Sequence, residues 1–363
     1  MGRPDYLIIF LVVVFVIFGF LMLSSASAPF ALNKFDDSYH YVKKQFFPGL
    51  ILGIFLFWIF SRLDYRILKK YSNHIFAAAI ILLLLCFMPG LGTTQGKGAY
   101  SWLNILGFSL QPSELAKLAL IIFLAAWLEY RLVIKRFSNK STLIKFLILL
   151  GTILGLVLLQ PDLGTASIIG FIGLLVYFAA GAPLIYFPIF GSVAAIGVFI
   201  MVKIAPYRMA RVTAFLDPSA DPQGIGYHIN QALLAIGSGR LLGVGFGQSR
   251  QKFQYLPEVS ADSIFAIIGE ELGFLFCALF VAALLIFFLR GIKIASRAPD
   301  FFGKILATGI VGWLVFQAFI NIASMLSLMP MTGVPLPFIS YGGTSLMTTL
   351  AACGILVNIS KWS

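Results

Sequence analysis

The chain has 363 residues, of which 60% are hydrophobic and only 11% charged, with a formal net charge of +12. Soluble domains run nearer to about 45–50% apolar and about 25% charged, so the composition excludes a cytosolic, secreted or disordered protein and leaves an integral membrane protein. In such a chain a basic excess reports orientation before it reports nucleic acid.

Continuous apolar runs at 6–27, 46–60, 74–91, 112–128, 146–159, 166–181, 184–203, 263–289, 305–329 and 340–358 predict ten transmembrane helices. The expected fold class is an all-α integral membrane protein, a single polytopic domain over 1–363. The first run has the outline of a signal peptide, with Ala26-Ser27-Ala28 near its end. Its apolar region is long, Asp5 interrupts the basic start, and further spans follow, so it reads as an uncleaved helix.

The loops 61–73, 129–145 and 290–304 carry thirteen Lys and Arg, against four (Lys34, Lys43, Lys44 and Lys97) in the short loops between them. The positive-inside rule sets the thirteen, and both termini, in the cytoplasm. Parity also separates 146–159 from 166–181 despite Pro161: the loops 129–145 and 290–304 are on one side only if an even number of spans lies between them. Cys86, Cys277 and Cys353 lie in apolar runs and show neither disulfide nor metal spacing.

Residues 204–262, between the seventh and eighth helices, form the one long stretch between spans and fall on the outside. They carry Arg208, Arg211, Arg240, Arg250 and Lys252 against Asp217, Asp221, Glu258 and Asp262, with glycine at 237, 239, 243, 245 and 247. Long ordered loops are more often functional than incidental, so the extracytoplasmic part of any chemistry is expected here.

Ionisable residues in a span cost about 2.5–3.5 kcal/mol each on insertion scales, so each needs a reason. Glu114 and Lys117 sit three apart after Pro112, on one face at the outer end of the fourth span. They read either as a self-neutralising pair at a helix end or as a substrate-facing pair with Lys117 on an anionic headgroup. Gln160-Pro161-Asp162 repeats the pattern, and capping alone accounts for Asp162. Asp262 stands where the long loop enters the membrane. It reads as an N-cap of the eighth span or as a partly desolvated general base, and position alone favours the cap. Glu270 and Glu271 lie about 12 Å deeper at the helical rise.

Gly92-Thr93-Thr94-Gln95-Gly96-Lys97 lacks the first glycine of a phosphate loop, and Gly243-Val244-Gly245-Phe246-Gly247 lacks a strand and helix context. His40, His74 and His228 show no metal spacing, and no nucleic-acid partner is expected. These residues gather polar groups at the outer face, as an anionic lipid-linked substrate requires, without separating an enzyme from a transporter.

The ordered series Leu23–Ser27, Ser101–Asn104, Gln111–Lys117, Gln160–Ala166, Tyr207–Arg211, Phe215–Tyr227, Gln248–Glu258, Asp262–Phe274 and Pro335–Gly343 resembles the SEDS family (FtsW, RodA and SpoVE) across essentially the whole chain. Phe215–Tyr227, Gln248–Lys252 and Asn358-Ile359-Ser360 are nearer the FtsW type. The resemblance implies a peptidoglycan glycosyltransferase in the bacterial cytoplasmic membrane, polymerising lipid II on its outer face during cell division. In that reaction the 4-hydroxyl of one lipid II attacks the anomeric carbon of a chain held on undecaprenyl pyrophosphate.

The family's aspartate falls on Asp262, which makes it the base; Glu114 and Lys117 fall on cavity residues. Asp162 joins the expected substrate-binding set, with Arg208, Arg211 and Lys252 placed near the pyrophosphates by charge and position. The resemblance also implies a divalent cation, Mg or Mn, with no ligand set visible. The implied partners are a class B penicillin-binding transpeptidase, other division proteins and membrane lipid. Many members have His-Thr before the aspartate and Phe after it, whereas this chain has Ser260-Ala261-Asp262-Ser263. Arg240 stands where a small residue is expected. A lipid II flippase and a non-catalytic scaffold are the alternatives. Transporters place coupling charges near the midplane, and here only Glu270 and Glu271 are that deep.

Overall fold

Backbone polar groups have no water to bond in a bilayer, so apolar runs of this length close their hydrogen bonds within helices. The computed structural model describes residues 2–93, 101–105, 108–134, 140–183, 185–218, 224–253 and 255–362. Residues 94–97 of the phosphate-loop-like stretch, with its Lys97, lie outside the described residues, as do Lys135, Arg136 and Asp221.

The elements are α1 (Tyr6–Phe35), α2 (His40–Lys44), α3 (Ile51–Arg62), α4 (Arg66–Leu85), α5 (Pro112–Val133), α6 (Lys140–Leu159), α7 (Leu163–Ala179), α8 (Tyr186–Ile204), α9 (Pro206–Leu216), α10 (Ile225–Ser238), α11 (Ile264–Arg297), α12 (Phe301–Met325) and α13 (Gly343–Ser360). A distorted turn over Gln45–Leu50 joins α2 to α3 as one membrane-length unit, His40–Arg62. Among the described residues eight helices are long and apolar enough to cross a membrane. With α5 and the shorter α7, each of the ten apolar runs of the sequence falls on one such helix.

Two features go beyond the sequence expectation. The long loop contains helices α9 and α10, the latter burying Gly226, Ile229, Ala232 and Ala235 on one face. Between α4 and α5, β1 (Gly92–Thr93), β2 (Trp102–Ile105) and β3 (Phe108–Leu110) form a small antiparallel sheet, with Leu103 opposite both Gly92 and Leu110. Strands this short leave too little pattern to be read beside 20-residue runs.

Burial separates axis from rim. Of the most apolar window of each span, 89% is buried in α13 and 72% in α12, against none in α8. Helix α3 reaches α13 through glycines on both sides. A Cβ on Gly53 would lie 2.6 Å from the Leu350 side chain, and one on Gly354 would lie 2.6 Å from the Phe57 carbonyl oxygen. Small residues at such crossings let helices approach where no hydrophobic force drives them together.

Helix α11 is interrupted at Gly273, which has φ of 76°. The freed backbone is taken up by the loop after α10. Val244 N donates to Glu270 O at 3.0 Å, Gly245 N to Glu271 O at 3.0 Å, Phe274 N to Arg240 O at 2.9 Å and Leu275 N to Leu241 O at 3.1 Å. Non-helical backbone at membrane depth survives only with such replacement partners.

The two ends of the chain meet on one face. Gly2 N donates to Lys361 O at 2.7 Å, Asp5 N to Ser360 Oγ at 3.0 Å, and Arg290 pairs with Asp5 at 2.5 Å. On the same face Tyr65 OH and Arg66 Nε both donate to Asp300, at 2.6 and 3.1 Å, and Lys361 Nζ donates to Ser61 O at 2.6 Å. Burial works to raise the pKa of Asp300, but hydrogen bonds from Tyr65, the Gly303 amide and Arg66 hold the carboxyl below its usual range. Loops 61–73 and 290–304 therefore share a side with both ends, as parity requires.

Candidate active site

Asp262 closes a run of turns between the outer loop and α11, and it is half-buried. The N-cap position of α11 is the next residue, Ser263, and no side chain makes a cap hydrogen bond there. The approach to Asp262 is held residue by residue from the segment joining α12 to α13. Tyr341 N donates to Ser260 O at 2.8 Å, and Ser340 Oγ donates to Ala261 O at 2.5 Å. Asn321 Nδ2 donates to both Asp262 O and Val334 O at 2.8 Å. Gly333, at φ of 71°, faces the carboxylate: a Cβ there would lie 3.7 Å from Asp262 Oδ2.

The 331–336 segment is in turn reached by several of the other predicted residues, whereas Arg208 and Lys252 bond to backbone carbonyls elsewhere. Arg211 on α9 donates from Nη1 to Met331 O at 3.1 Å. At the start of α7, Asp162 accepts from Thr165 N at 2.9 Å as an N-cap, and Gly164 abuts Thr332, whose carbonyl would stand 2.6 Å from a Cβ. Asp162, Arg211 and Asp262 thus flank one stretch of backbone at one end of the bundle. Arg208, on α9 with Arg211, is half-buried and donates to Met201 O at 3.3 Å.

Glu114 and Lys117 lie beneath this stretch. Lys117 is fully buried; its Nζ is 2.7 Å from both Glu114 Oε1 and Gln317 Oε1, and 5.0 Å from the centre of the Trp313 ring. Gln317 Nε2 donates onward to Pro335 O at 3.0 Å. Gln317 and Asn321, one turn apart on α12, therefore carry the 334–335 backbone, and the buried ion pair sets Gln317. The two charges face each other and α12 rather than the surface, with Glu114 Oε2 left buried and without a hydrogen-bond partner among the described residues.

Lys252 is likewise enclosed, its Nζ bonded to Gly247 O at 2.7 Å, Glu271 Oε1 at 2.9 Å and Ser25 Oγ at 3.0 Å. Ser25 also donates to Glu271, and Glu270 accepts from Ser249 Oγ at 2.5 Å and Arg250 N at 2.9 Å. The adjacent carboxylates of α11 thereby fasten loop 247–252 to α11 and α1. Buried charges survive only when paired and hydrogen-bonded in this way.

Three further residues border Asp262 or the segment beside it. Gln317 and Asn321 were detectable as polar residues at i, i+4 in an apolar span. His228, whose Nε2 lies 2.6 Å from Ser263 Oγ, had no local signal, because its partner is 35 residues away.

A divalent cation would need several donors converging at the carboxylate. Among the described residues no group of three or more His, Cys, Asp or Glu is so arranged, and the carbonyls beside Asp262 are already bonded. The side chains present do not by themselves make a cation site.

Comparison with known proteins agrees with this architecture. The family described as cell cycle protein, FtsW/RodA/SpoVE, matches residues 5–363. Stage V sporulation protein E of Bacillus subtilis is 40% identical, covering 99% of this chain and 98% of its own. The probable peptidoglycan glycosyltransferase FtsW of Geobacter metallireducens is 41% identical, covering 99% and 95%. Among solved structures, a chain of a peptidoglycan synthase complex that coordinates polymerization and crosslinking superposes with a TM-score of 0.81 at 29% identity, covering 98% of this chain and 97% of that one. The rod shape determining protein RodA of Thermus thermophilus superposes with a TM-score of 0.72 at 28% identity, covering 99% and 98%.

Proposed function

The chain belongs to the FtsW/RodA/SpoVE family of cell cycle proteins, and from that membership we propose a peptidoglycan glycosyltransferase that polymerises lipid II with Asp262 as its general base. The observation that carries the assignment of the base is the convergence on Asp262. Ser340, Tyr341 and Asn321 fix its approach, and Gly333 leaves space at its carboxylate. A half-buried carboxylate on a fixed backbone is suited to proton abstraction, whose efficiency depends on placement first and pKa second.

In the proposed step Asp262 takes the proton of the acceptor 4-hydroxyl while that oxygen attacks the anomeric carbon of the donor strand. The carbon–oxygen bond to undecaprenyl pyrophosphate breaks, the pyrophosphate leaves with the electron pair, and the configuration inverts. Asp262 then returns its proton to solvent. Arg208 and Arg211, both half-buried on α9, are the cations we assign to the developing pyrophosphate charge. Asp162 borders the same segment, and Glu114 and Lys117 support it from below. Lys252 holds the loop. The site faces outward when the basic face, with both chain ends, is cytoplasmic, as the positive-inside rule favours.

A structural neighbour belongs to a peptidoglycan synthase complex that coordinates polymerization and crosslinking, and a class B penicillin-binding transpeptidase is the partner we assign here. Nothing favours a flippase: Glu270 and Glu271, deep enough to couple transport, are spent on Ser249, Ser25 and Lys252.

The test is polymerisation of labelled lipid II by purified protein, with the cognate transpeptidase and with and without a divalent cation. Asp262→Asn is expected to lose about 10²- to 10⁴-fold in rate while the protein stays folded. Native-length strands from the variant would remove Asp262 as the base.

A further inference from the structure

Four consecutive residues lead into α11, and each is tied to another element. Ser260, Ala261 and Asp262 are held through their carbonyls by the segment between α12 and α13 and by α12 itself. Ser263 is held through its side chain instead, by His228 Nε2 on α10 at 2.6 Å. Ser263 is fully buried (0% exposed), so its hydroxyl has no water to replace the imidazole, and a lost partner leaves a buried polar group unpaired. His228 occupies the first turn of α10, next to Ile229, which is buried against α11. The imidazole is neutral at physiological pH. Burial pulls its pKa down to about 4, the charge of Arg211 acts in the same direction, and that of Glu258 opposes it.

We propose that His228 is a positioning residue for Asp262: through Ser263 it fixes the residue that follows the carboxylate in the turn, so that α10 of the outer loop helps to set where the base points. The proposal rests on Asp262 being the base. The peptide after Asp262 is held at its ends by Asn321, on Asp262 O, and by Glu258 O, which accepts from Ser263 N at 3.3 Å. Losing the side-chain contact of Ser263 lets this residue shift against those anchors, and the carboxylate shifts with it. A displacement of about 1 Å at a reacting group costs up to about a hundredfold in rate.

The experiment measures kcat and KM for lipid II with the full-length protein and its transpeptidase. The variants are His228→Ala, Ser263→Ala, the double variant, His228→Gln and Asp262→Asn, with thermal unfolding of each as a control on folding. His228→Ala and Ser263→Ala are expected to lower kcat about 10- to 100-fold, with KM within about twofold of native. The double variant should be no slower than the slower single variant, because both remove one contact. His228→Gln, which sets an amide where Nε2 stands, should recover most of the rate.

Multiplying losses in the double variant would overturn the proposal, as would a rise in KM at unchanged kcat, or a folded His228→Gln as slow as His228→Ala. Where His228→Ala unfolds, Ser263→Ala and His228→Gln carry the decision. A fully active Asp262→Asn would instead refute the base itself, whatever the histidine variants do.

Discussion

Lys117 is enclosed by groups that need its charge: Glu114 and Gln317 at 2.7 Å and the Trp313 ring beneath. Removing one member of such a pair strands the other, which typically costs about 3–5 kcal/mol, whereas replacing both with apolar residues is often neutral. Lys117→Met is therefore expected to lower the thermal midpoint in detergent sharply, and Lys117→Met with Glu114→Leu to restore most of it. Activity should fall in both, because Gln317, which holds Pro335 O, loses the Lys117 donor to its own side-chain oxygen and keeps Trp313 Nε1. His228 gives a second expectation at this scale. Its pKa is about 4 folded against about 6.5 in an unfolded chain, so the unfolded state binds more protons between these values. Stability is complete above about pH 6.5 and declines as pH falls toward 4. Unfolding midpoints of His228→Gln should fall less steeply over that interval. The i, i+3 pairing of Glu114 with Lys117 was legible in the sequence. Its true surroundings were not, because Gln317 lies 200 residues further along the chain.

Hydropathy makes 263–289 one continuous span and carries no sign of the interruption of α11 at Gly273. The glycine is needed twice over: its φ of 76° disfavours any side chain, and a Cβ there would land on the Gly243 backbone. Strain of this kind costs roughly 1–3 kcal/mol before the clash is counted. Gly273→Ala should release the loop at 239–250, seen as faster amide exchange there and at the start of α11, with lower activity. The amphipathic spacing of Ile225, Ile229, Ala232 and Ala235 was also present in the sequence, yet the segment was read as loop. Nothing local identified α11 as the surface it packs on.

Hydropathy counts membrane crossings but does not rank them, since lipid is as apolar as a protein core. The ten runs were therefore readable from the sequence, while the burial of α13 and the peripheral place of α8 were not. The sidedness carried by the thirteen basic residues is open to measurement. In a background without the three native cysteines, Arg62→Cys and Ser296→Cys should react with an impermeant thiol reagent only from the cytoplasm, and Leu242→Cys only from outside. Labelling of Arg62→Cys and Ser296→Cys on opposite sides would contradict both parity and the Tyr65–Asp300 contact.

The meeting of Asp5 with Ser360 has a consequence for how the protein is made. Helix α1 leaves the ribosome long before α11 and α13, on which it finds partners, and Ser25 waits for Glu271. It must therefore enter the bilayer and stand loosely associated until those helices are made. Helix α13, made after the helices it packs on, is also the most enclosed, so it is seated among neighbours already in place. A nascent chain that stops before Gly343 leaves a ring of helices with its axis missing, a substrate for quality control rather than a slower enzyme.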